Sequence, residues 1–100
     1  MSPHKVIWTD EALADLDKIF DFIAPKSTKA ALKIIEKILS REKQLQSFPY
    51  SGGNQESKKR KSRYKYWVEG NYKIIYHVEG QVVYVDTVFD CRRDPEKMRI

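Results

Sequence analysis

The sequence predicts an α+β fold in which a helical hairpin packs on an antiparallel sheet, in the order β-α-α-β-β-β. Two changes of pattern carry this prediction. Apolar residues recur at three- and four-residue intervals between positions 9 and 48, which is typical of amphipathic helices. From position 64 onward they alternate with polar residues, as in strands, and a short β-favouring run precedes the first helix.

The N-terminal segment predicts one strand followed directly by a helix. Lys5–Trp8 favours β structure, and Thr9 is placed to cap a helix whose first turn is acidic. Pro25 ends that helix. The buried stripe is expected to comprise Leu13, Leu16, Phe20 and Ile23, widened by Ala12 and Ile19. The solvent-exposed face is expected to carry Asp15, Lys18 and Asp21.

The second helix is expected to run in one piece to about position 48. Ser27 or Thr28 can cap it, and the short connection predicts an antiparallel helical hairpin. Residues 48–54 then end the helix and open a polar loop that extends to about position 62. The buried side is expected to consist of Ala31, Ile34, Ile35, Ile38 and Leu45.

Three strands follow, separated by glycine-containing turns at positions 69–71 and 79–80. The last strand, at positions 82–89, is apolar on both sides except for Asp86 and Thr87, which favours an interior position in the sheet. In the middle strand, the residues expected to face the helices are Tyr72, Ile74, Tyr76 and Val78. Those expected to face away are Lys73, Ile75 and His77.

Length and composition favour one domain, residues 1–100, because 100 residues with 41% hydrophobic content suit a single core. The single cysteine, Cys91, excludes an internal disulfide and a cysteine-based zinc site. The sequence shows no secretory signal and no apolar run long enough to span a bilayer. We therefore expect a cytoplasmic protein without a membrane partner, a metal or a cofactor.

The positive charge is concentrated at one place in the chain. A net charge of +5 favours an acidic partner, either nucleic acid or protein. A basic run of this kind is as often a solvated loop as a binding surface, so both interpretations remain open. The run contains Lys58, Lys59, Arg60, Lys61, Arg63 and Lys65.

Four stretches, in this order along the chain, resemble the RelE/ParE superfamily of toxins from type II toxin–antitoxin modules, also called plasmid stabilisation proteins. They are VIWTDEA with DL at positions 6–16, FPYSG at 48–52, GNYKIIY at 70–76 and VFDCRRDP at 88–95. The resemblance implies the family's β-α-α-β-β-β fold. It also implies a cognate antitoxin whose acidic C-terminal segment folds onto the toxin.

The resemblance leaves two activities open, because one fold can host several functions. RelE-type members cleave ribosome-bound mRNA without a metal, using basic residues on the sheet and often a C-terminal Tyr or His. ParE-type members lack that set and inhibit DNA gyrase. Either Arg92 or Arg93 lies where RelE-type members place an arginine at the end of the sheet, and the resemblance does not choose between them; Lys73 occupies the family's central basic position.

The proton-transfer group is the point at which this chain departs from the RelE pattern. RNA cleavage needs a stabilised phosphorane together with proton transfer, and the residues after Arg93 include no Tyr or His. His77 shares the face of Lys73 and could substitute, so the weak catalytic candidates are Lys73, His77, Arg92 and Arg93. The gap slightly favours a ParE-like gyrase inhibitor; the alternative is a RelE-like mRNA endonuclease, and a third possibility is a family member that binds an antitoxin but has lost its toxicity.

Several other residues have both a functional and a structural interpretation. Tyr64 and Tyr66 could stack on bases, although cross-strand packing is the commoner role for such aromatics. Asp90 and Asp94 could form ion pairs with the neighbouring arginines and weaken a phosphate site. Cys91 has no recognisable His-Asp partners and is not expected to act as a nucleophile.

Overall fold

A computed structural model describes residues 3–57, 63–98 and 100. Five strands form one sheet in the order β1-β5-β4-β3-β2. The strands are β1 Lys5–Trp8, β2 Gly53–Gln55, β3 Tyr64–Glu69, β4 Tyr72–Glu79 and β5 Val82–Asp90. The helices are α1 Asp10–Ile23, α2 Thr28–Leu39, α3 Glu42–Ser47 and a 3₁₀ turn at Pro95–Lys97. The α+β class and the order strand, helical hairpin, three-stranded meander are confirmed.

Both predicted helix starts are capped by side-chain oxygens. Thr9 Oγ1 accepts a hydrogen bond from the Ala12 amide over 3.2 Å. Of the two candidates for α2, Ser27 is the cap, because its Oγ accepts from the Ala30 amide over 3.1 Å. Each cap satisfies an amide that would otherwise lack a partner in the first helical turn.

The prediction of one continuous second helix was wrong, because α2 ends at Leu39 and α3 begins at Glu42. At the junction the Ser40 hydroxyl donates to the Lys37 carbonyl over 2.6 Å, a local bond of the kind that competes with helix continuation. The break redirects α3 toward β1, where the Glu42 carboxylate accepts from Trp8 Nε1 over 2.8 Å. Leu45 is nevertheless fully buried, as expected.

The sheet is mixed rather than wholly antiparallel. The β2–β3, β3–β4 and β4–β5 pairs are antiparallel, whereas β1 pairs parallel to β5, from Lys5 opposite Val82 to Trp8 opposite Val85. A parallel pair needs a long crossover connection, and the helices and the meander between β1 and β5 supply one. The segment predicted as a loop at positions 52–62 also contains β2, whose three residues are too few to show an alternating pattern.

For the residues predicted to face the helices, the facing of β4 is confirmed. Tyr72, Ile74 and Tyr76 are buried in the cluster beneath the helices, and Val78 packs against it. Interior placement of β5 is also confirmed, since it lies between β1 and β4. A register shift in the β4–β5 pair, between Ile75 and Tyr76, leaves Asp86 as an extra residue in β5.

Two assignments on α1 were wrong. Leu13, placed in the buried stripe, is 45% exposed. Asp15, placed on the solvent face, is only 8% exposed because its carboxylate is hydrogen-bonded to Thr87 and Val88 of β5. The buried line of α1 therefore runs through Ala12, Asp15 and Leu16, closer to β5 than the apolar pattern indicated.

Within the described residues, no helix is both long enough and apolar enough to cross a membrane.

Candidate functional site

The C-terminal end of β5 brings together a tyrosine, an aspartate and an arginine. Tyr72 opens β4 and lies opposite Asp90, the last residue of β5, in the strand register. The Asp90 carboxylate accepts from Arg92 Nε over 2.9 Å, from Arg92 Nη2 over 2.8 Å and from the Arg92 amide over 2.9 Å. Arg92 Nη2 also approaches the Tyr72 hydroxyl at 3.5 Å.

These contacts fix the charge states of Tyr72, Asp90 and Arg92, which together form the arginine corner. Hydrogen bonding to the Arg92 guanidinium lowers the pKa of Asp90, so the carboxylate stays ionised. The same bond raises the pKa of Arg92, which stays protonated. Burial raises the pKa of the Tyr72 hydroxyl, which therefore stays neutral near pH 7. Arg92 is thus a permanent cation whose fork is already engaged by a carboxylate, as the sequence predicted for Asp90.

Sequence reasoning missed Tyr72 as a member of this corner, since its alternation placed it only in the core. The available signal was the position of Tyr72 directly after the turn that joins β3 and β4. That position aligns it with the end of β5 once the strands pair.

Arg92 and Arg93 line two different grooves. A groove of about 600 Å³ runs between α1 and the C-terminal segment, with Arg93 on its rim. A second groove, of about 360 Å³, lies between the helical hairpin and the β3–β4 turn, with Arg92 on its rim. Phe22 and Tyr72 line both, and the Phe22 side chain between them is 72% exposed. Further basic residues on the two rims are Lys18, Lys26, Lys37 and Lys97.

His77 belongs to a separate cluster at the other end of β4. Its Nδ1 lies 2.5 Å from Asp86 Oδ2, and its Nε2 lies 3.6 Å from Glu79 Oε1. The imidazole stacks on Tyr84 with ring centroids 5.1 Å apart, and Tyr64 meets it edge-on at 5.8 Å. Burial raises the pKa of Asp86, an effect that the hydrogen bond from His77 opposes.

The basic residues just before β3, in β3 and in β4 are engaged by neighbouring side chains. Lys73 Nζ lies 4.4 Å from the centroid of the Tyr66 ring and donates to Gln55 Oε1 over 3.1 Å. Lys65 Nζ donates to Asn54 Oδ1 over 3.1 Å, and Arg63 pairs with the Glu79 carboxylate. These contacts support the packing interpretation of Tyr64 and Tyr66. The predicted basic run at Lys58, Lys59, Arg60 and Lys61 lies outside the described residues.

The structure therefore does not bring the four weak catalytic candidates together. Tyr72, which marks the arginine corner, and His77 are five residues apart on β4, about 16 Å at the usual rise per strand residue. Proton transfer to a phosphate held at Arg92 requires hydrogen-bond distance, and His77 is far outside it.

Two further residues near the arginine corner, Asp94 and Cys91, were also considered in the sequence analysis. Asp94 accepts a hydrogen bond from the Glu96 amide over 3.0 Å and caps the final 3₁₀ turn, and it forms no ion pair with Arg92 or Arg93. Cys91 is an exposed free thiol.

The family comparison places this helical hairpin on a small sheet in a class of proteins, the small toxins of type II toxin–antitoxin modules. The chain matches the family described as ParE toxin of type II toxin-antitoxin system, parDE, over residues 6–95. This chain belongs to that family.

Solved structures show the same fold at low sequence identity. A chain of a chromosomal ParDE toxin–antitoxin system from P. aeruginosa is 23% identical, with a TM-score of 0.71; the alignment covers 85% of this chain and 92% of that one. A chain of the RelBE2 toxin–antitoxin complex from Mycobacterium tuberculosis is 18% identical, with a TM-score of 0.64 and coverage of 86% and 95%. No curated protein matches the chain significantly.

Proposed function

We propose that this chain is a ParE-like, non-enzymatic toxin that inhibits DNA gyrase by binding, and that it acts in the cytoplasm. The observation that carries the proposal is the separation of the basic corner from any free proton-transfer group. Arg92 and Arg93 can bind an anionic or protein surface, but the titratable groups that contact Arg92 among the described residues, Tyr72 and Asp90, are poorly suited to act as a base.

Each candidate base is disqualified by its own surroundings. His77 is held by Asp86 and Tyr84 at the far end of β4. The Tyr72 hydroxyl is next to Arg92, but its raised pKa keeps it protonated, so it cannot accept a proton at neutral pH. Asp90 is ionised but is occupied by three bonds from Arg92 and has a lowered pKa, which makes it a weak base.

A cognate antitoxin with an acidic segment is the expected regulator. Positive residues rim both grooves beside Phe22, and charge complementarity of this kind accelerates association with an acidic partner. An antitoxin segment seated there would cover Arg92 and Arg93 and prevent their contact with the target.

The proposal is tested by controlled expression in bacteria, with parallel readouts of DNA supercoiling, the SOS response and mRNA 5′ ends. We expect gyrase inhibition, visible as supercoiling loss and SOS induction, with intact mRNA. Codon-phased mRNA cuts without a supercoiling change would overturn the proposal and favour the RelE-like endonuclease.

A charge-matched pair of variants makes the test specific for the corner. Arg92→Ala with Arg93→Ala is expected to abolish growth inhibition. Lys29→Ala with Lys33→Ala removes the same charge from the exposed side of α2 and is expected to leave inhibition unchanged. Equal effects of the two variants would show that only net charge matters. Unchanged antitoxin affinity of the arginine variant would contradict burial of this corner by the antitoxin.

A further inference from the structure

The outward surface of the helical hairpin is acidic on α1 and basic on α2. Asp17 and Asp21 lie one turn apart on α1, Lys29 and Lys33 lie one turn apart on α2, and all of them are exposed. Like charges at this spacing repel each other within a helix. None of these side chains forms an ion pair with another described residue, so the repulsion is not relieved within one chain.

Two of these charges also oppose the dipole of their own helix. A helix carries a partial positive charge at its N-terminal end and a partial negative charge at its C-terminal end. Asp21 lies in the last turn of α1, which contains no basic residue, and Lys29 lies in the first turn of α2, which contains no acidic residue. Both placements are unfavourable in a single chain, and an opposite charge supplied by a partner relieves them.

Exposed leucines lie among these charges. Leu13 of α1 and Leu32 and Leu39 of α2 are between 40% and 49% exposed. Leu32 and Leu39 are two helical turns apart and therefore share one side of α2. None of these leucines lines either basic groove, and neither do the four charged residues. The outward face of the hairpin is thus a surface separate from the two grooves.

The residues of this face lie at matching heights on the two antiparallel helices. Heights are counted back from Ile23, the end of α1, and forward from Thr28, the start of α2. Because one residue adds about 1.5 Å along a helix, residues that match within one position lie within about 1.5 Å of the same height. The pairs that match in this way are Asp21 with Lys29, Asp17 with Lys33 and Leu13 with Leu39.

A second copy of this chain is the partner that these matched heights fit. A two-fold axis parallel to the helices places α1 of each copy over α2 of the other, so that every acidic residue meets a basic one and each pair occurs twice. An axis across the helices would oppose α1 to α1 and α2 to α2, with like charges in contact. Glu36, the one acidic residue of α2, lies within one residue of the height of Ala14 and therefore faces no exposed carboxylate of α1.

We propose that the outward face of the hairpin is a homodimer interface, in which two copies pack α1 against α2 about a two-fold axis. Asp17 and Asp21 of each copy pair with the lysines of the other, and the exposed leucines fill the centre. Two helices about 10 Å across, of which α1 has 14 residues, give a face of about 20 by 20 Å. That is small for a protein interface, so the dimer should form and dissociate readily. Each copy keeps its own arginine corner, so growth inhibition does not require the dimer.

Sedimentation equilibrium of the purified chain, from about 5 to about 500 μM, tests the interface. The weight-average mass of the wild type should rise with concentration from 11.8 kDa toward twice that value. Asp17→Lys with Asp21→Lys should weaken dimerisation by about tenfold or more, because like charges then meet. Lys29→Asp with Lys33→Asp should do the same. All four substitutions in one chain restore opposite charges and should return the dimerisation constant to within about threefold of wild type.

The two double variants separate charge pairing from net charge. The first raises the net charge of +5 by four and the second lowers it by four, so dissociation of both cannot follow from overall repulsion. Mixed in equal amounts, the two double variants should associate with each other. Circular dichroism and urea denaturation check that every variant is folded.

A matched pair of single variants tests the apolar centre. Leu32→Ser should weaken dimerisation by about tenfold, whereas Val68→Ser, at a similarly exposed position on β3, should change it by less than about threefold. A wild type that stays monomeric at every concentration would overturn the proposal. So would double variants that dimerise like the wild type, or a folded four-fold variant and an equal mixture that both remain monomeric.

Discussion

Asp15 of α1 and Thr87 of β5 are joined by a buried hydrogen bond of 2.6 Å, in which Thr87 Oγ1 donates to Asp15 Oδ2. The same carboxylate oxygen accepts from the Val88 amide over 3.0 Å. The contact lies directly after the extra residue Asp86, where the β5 edge passes beyond the end of β1. One side chain thus attaches the first helix to the strand that carries the arginine corner.

Removing this carboxylate is expected to be costly. Asp15→Ala leaves a buried hydroxyl and a backbone amide without their acceptor, so the free energy of unfolding should fall by about 3 kcal/mol. Asp15→Asn keeps an acceptor oxygen and should lose about 1 kcal/mol. Urea denaturation measures both. The control is Asp17→Ala on the exposed face of the same helix, expected within about 0.5 kcal/mol of wild type. A loss at Asp17 as large as that at Asp15 would contradict the prediction.

The sequence contained a signal for Asp15 that the apolar stripe obscured. Asp15 lies three residues after Ala12 and four before Ile19, so helical spacing puts it on the row that faces the sheet. A search for apolar residues alone assigns any aspartate to solvent. Its burial depends on a tertiary partner in β5, 72 residues away, which local periodicity does not encode.

The other elements of the fold were predictable where local sequence determines them and unpredictable where tertiary contacts do. β4 was predictable because its alternation repeats over eight residues, and the caps were predictable because Thr9 and Ser27 act on amides three positions ahead. The break between α2 and α3 contains neither Gly nor Pro; it coincides with the Ser40–Lys37 bond and with the contact of α3 with β1, and the apolar pattern indicates neither. Among site residues, Arg92 and Arg93 were found from the motif, whereas Tyr72 joined them only through strand register.

Gly52 is expected to be required for close packing at the start of β2. Its amide donates to the hydroxyl of the fully buried Tyr76 over 3.2 Å. A Cβ at this position would clash with that hydroxyl and would lie 2.7 Å from the Tyr66 carbonyl oxygen. Gly52→Ala should therefore lower the free energy of unfolding by about 2 kcal/mol, as overpacking usually does. Thermal and urea unfolding provide the measurement.

A double-mutant cycle tests whether the Tyr76 hydroxyl causes the loss of stability in Gly52→Ala. Because Tyr76→Phe removes the clashing hydroxyl, Gly52→Ala should cost about 1 kcal/mol less in the Tyr76→Phe background. Strict additivity of the two substitutions would show that the Tyr66 carbonyl, rather than the Tyr76 hydroxyl, limits the space at Gly52.

Asp86 is expected to give stability a pH dependence of unusual sign for a carboxylate. Burial raises the pKa of Asp86 above its ordinary 3.8, an effect that Glu11 reinforces and that His77 and Arg63 oppose. The folded state therefore binds this proton more tightly than the unfolded state. The resulting stabilisation is complete below pH 3.8 and is lost as the pH rises through the raised pKa. Relative to wild type, Asp86→Asn should thus gain stability from pH 3.8 upward, as followed by urea denaturation.

Asp90 is expected to give stability the opposite pH dependence in the same urea denaturation experiment. Arg92 lowers the pKa of Asp90, so its contribution is present above pH 3.8 and disappears as the pH falls through the lowered pKa. Asp90→Asn should therefore lose stability relative to wild type near neutral pH and recover it in acid. Parallel pH profiles for the two variants would refute both assignments.

Phe22 is expected to contribute to partner binding rather than to folding. Its side chain is 72% exposed, which is high for a phenylalanine, and it lies on the ridge between the two basic grooves. Aromatic residues surrounded by basic side chains are frequent binding hot spots, because the ring supplies apolar area and the rim selects the charge of the partner. Phe22→Ser should change the free energy of unfolding by no more than about 0.5 kcal/mol. It should weaken binding of the cognate antitoxin, measured by calorimetry, by roughly tenfold or more.

The matched control for Phe22 is Leu32, a 49% exposed apolar residue of α2 that lines neither groove. Leu32→Ser removes exposed apolar area of a similar kind without touching the ridge, so antitoxin affinity should stay within about threefold of wild type, the range of near-neutral interface positions. If the two substitutions weakened binding equally, general surface hydrophobicity would account for the interaction. If only Phe22→Ser does so, the ridge between Arg92 and Arg93 is the place where the antitoxin docks.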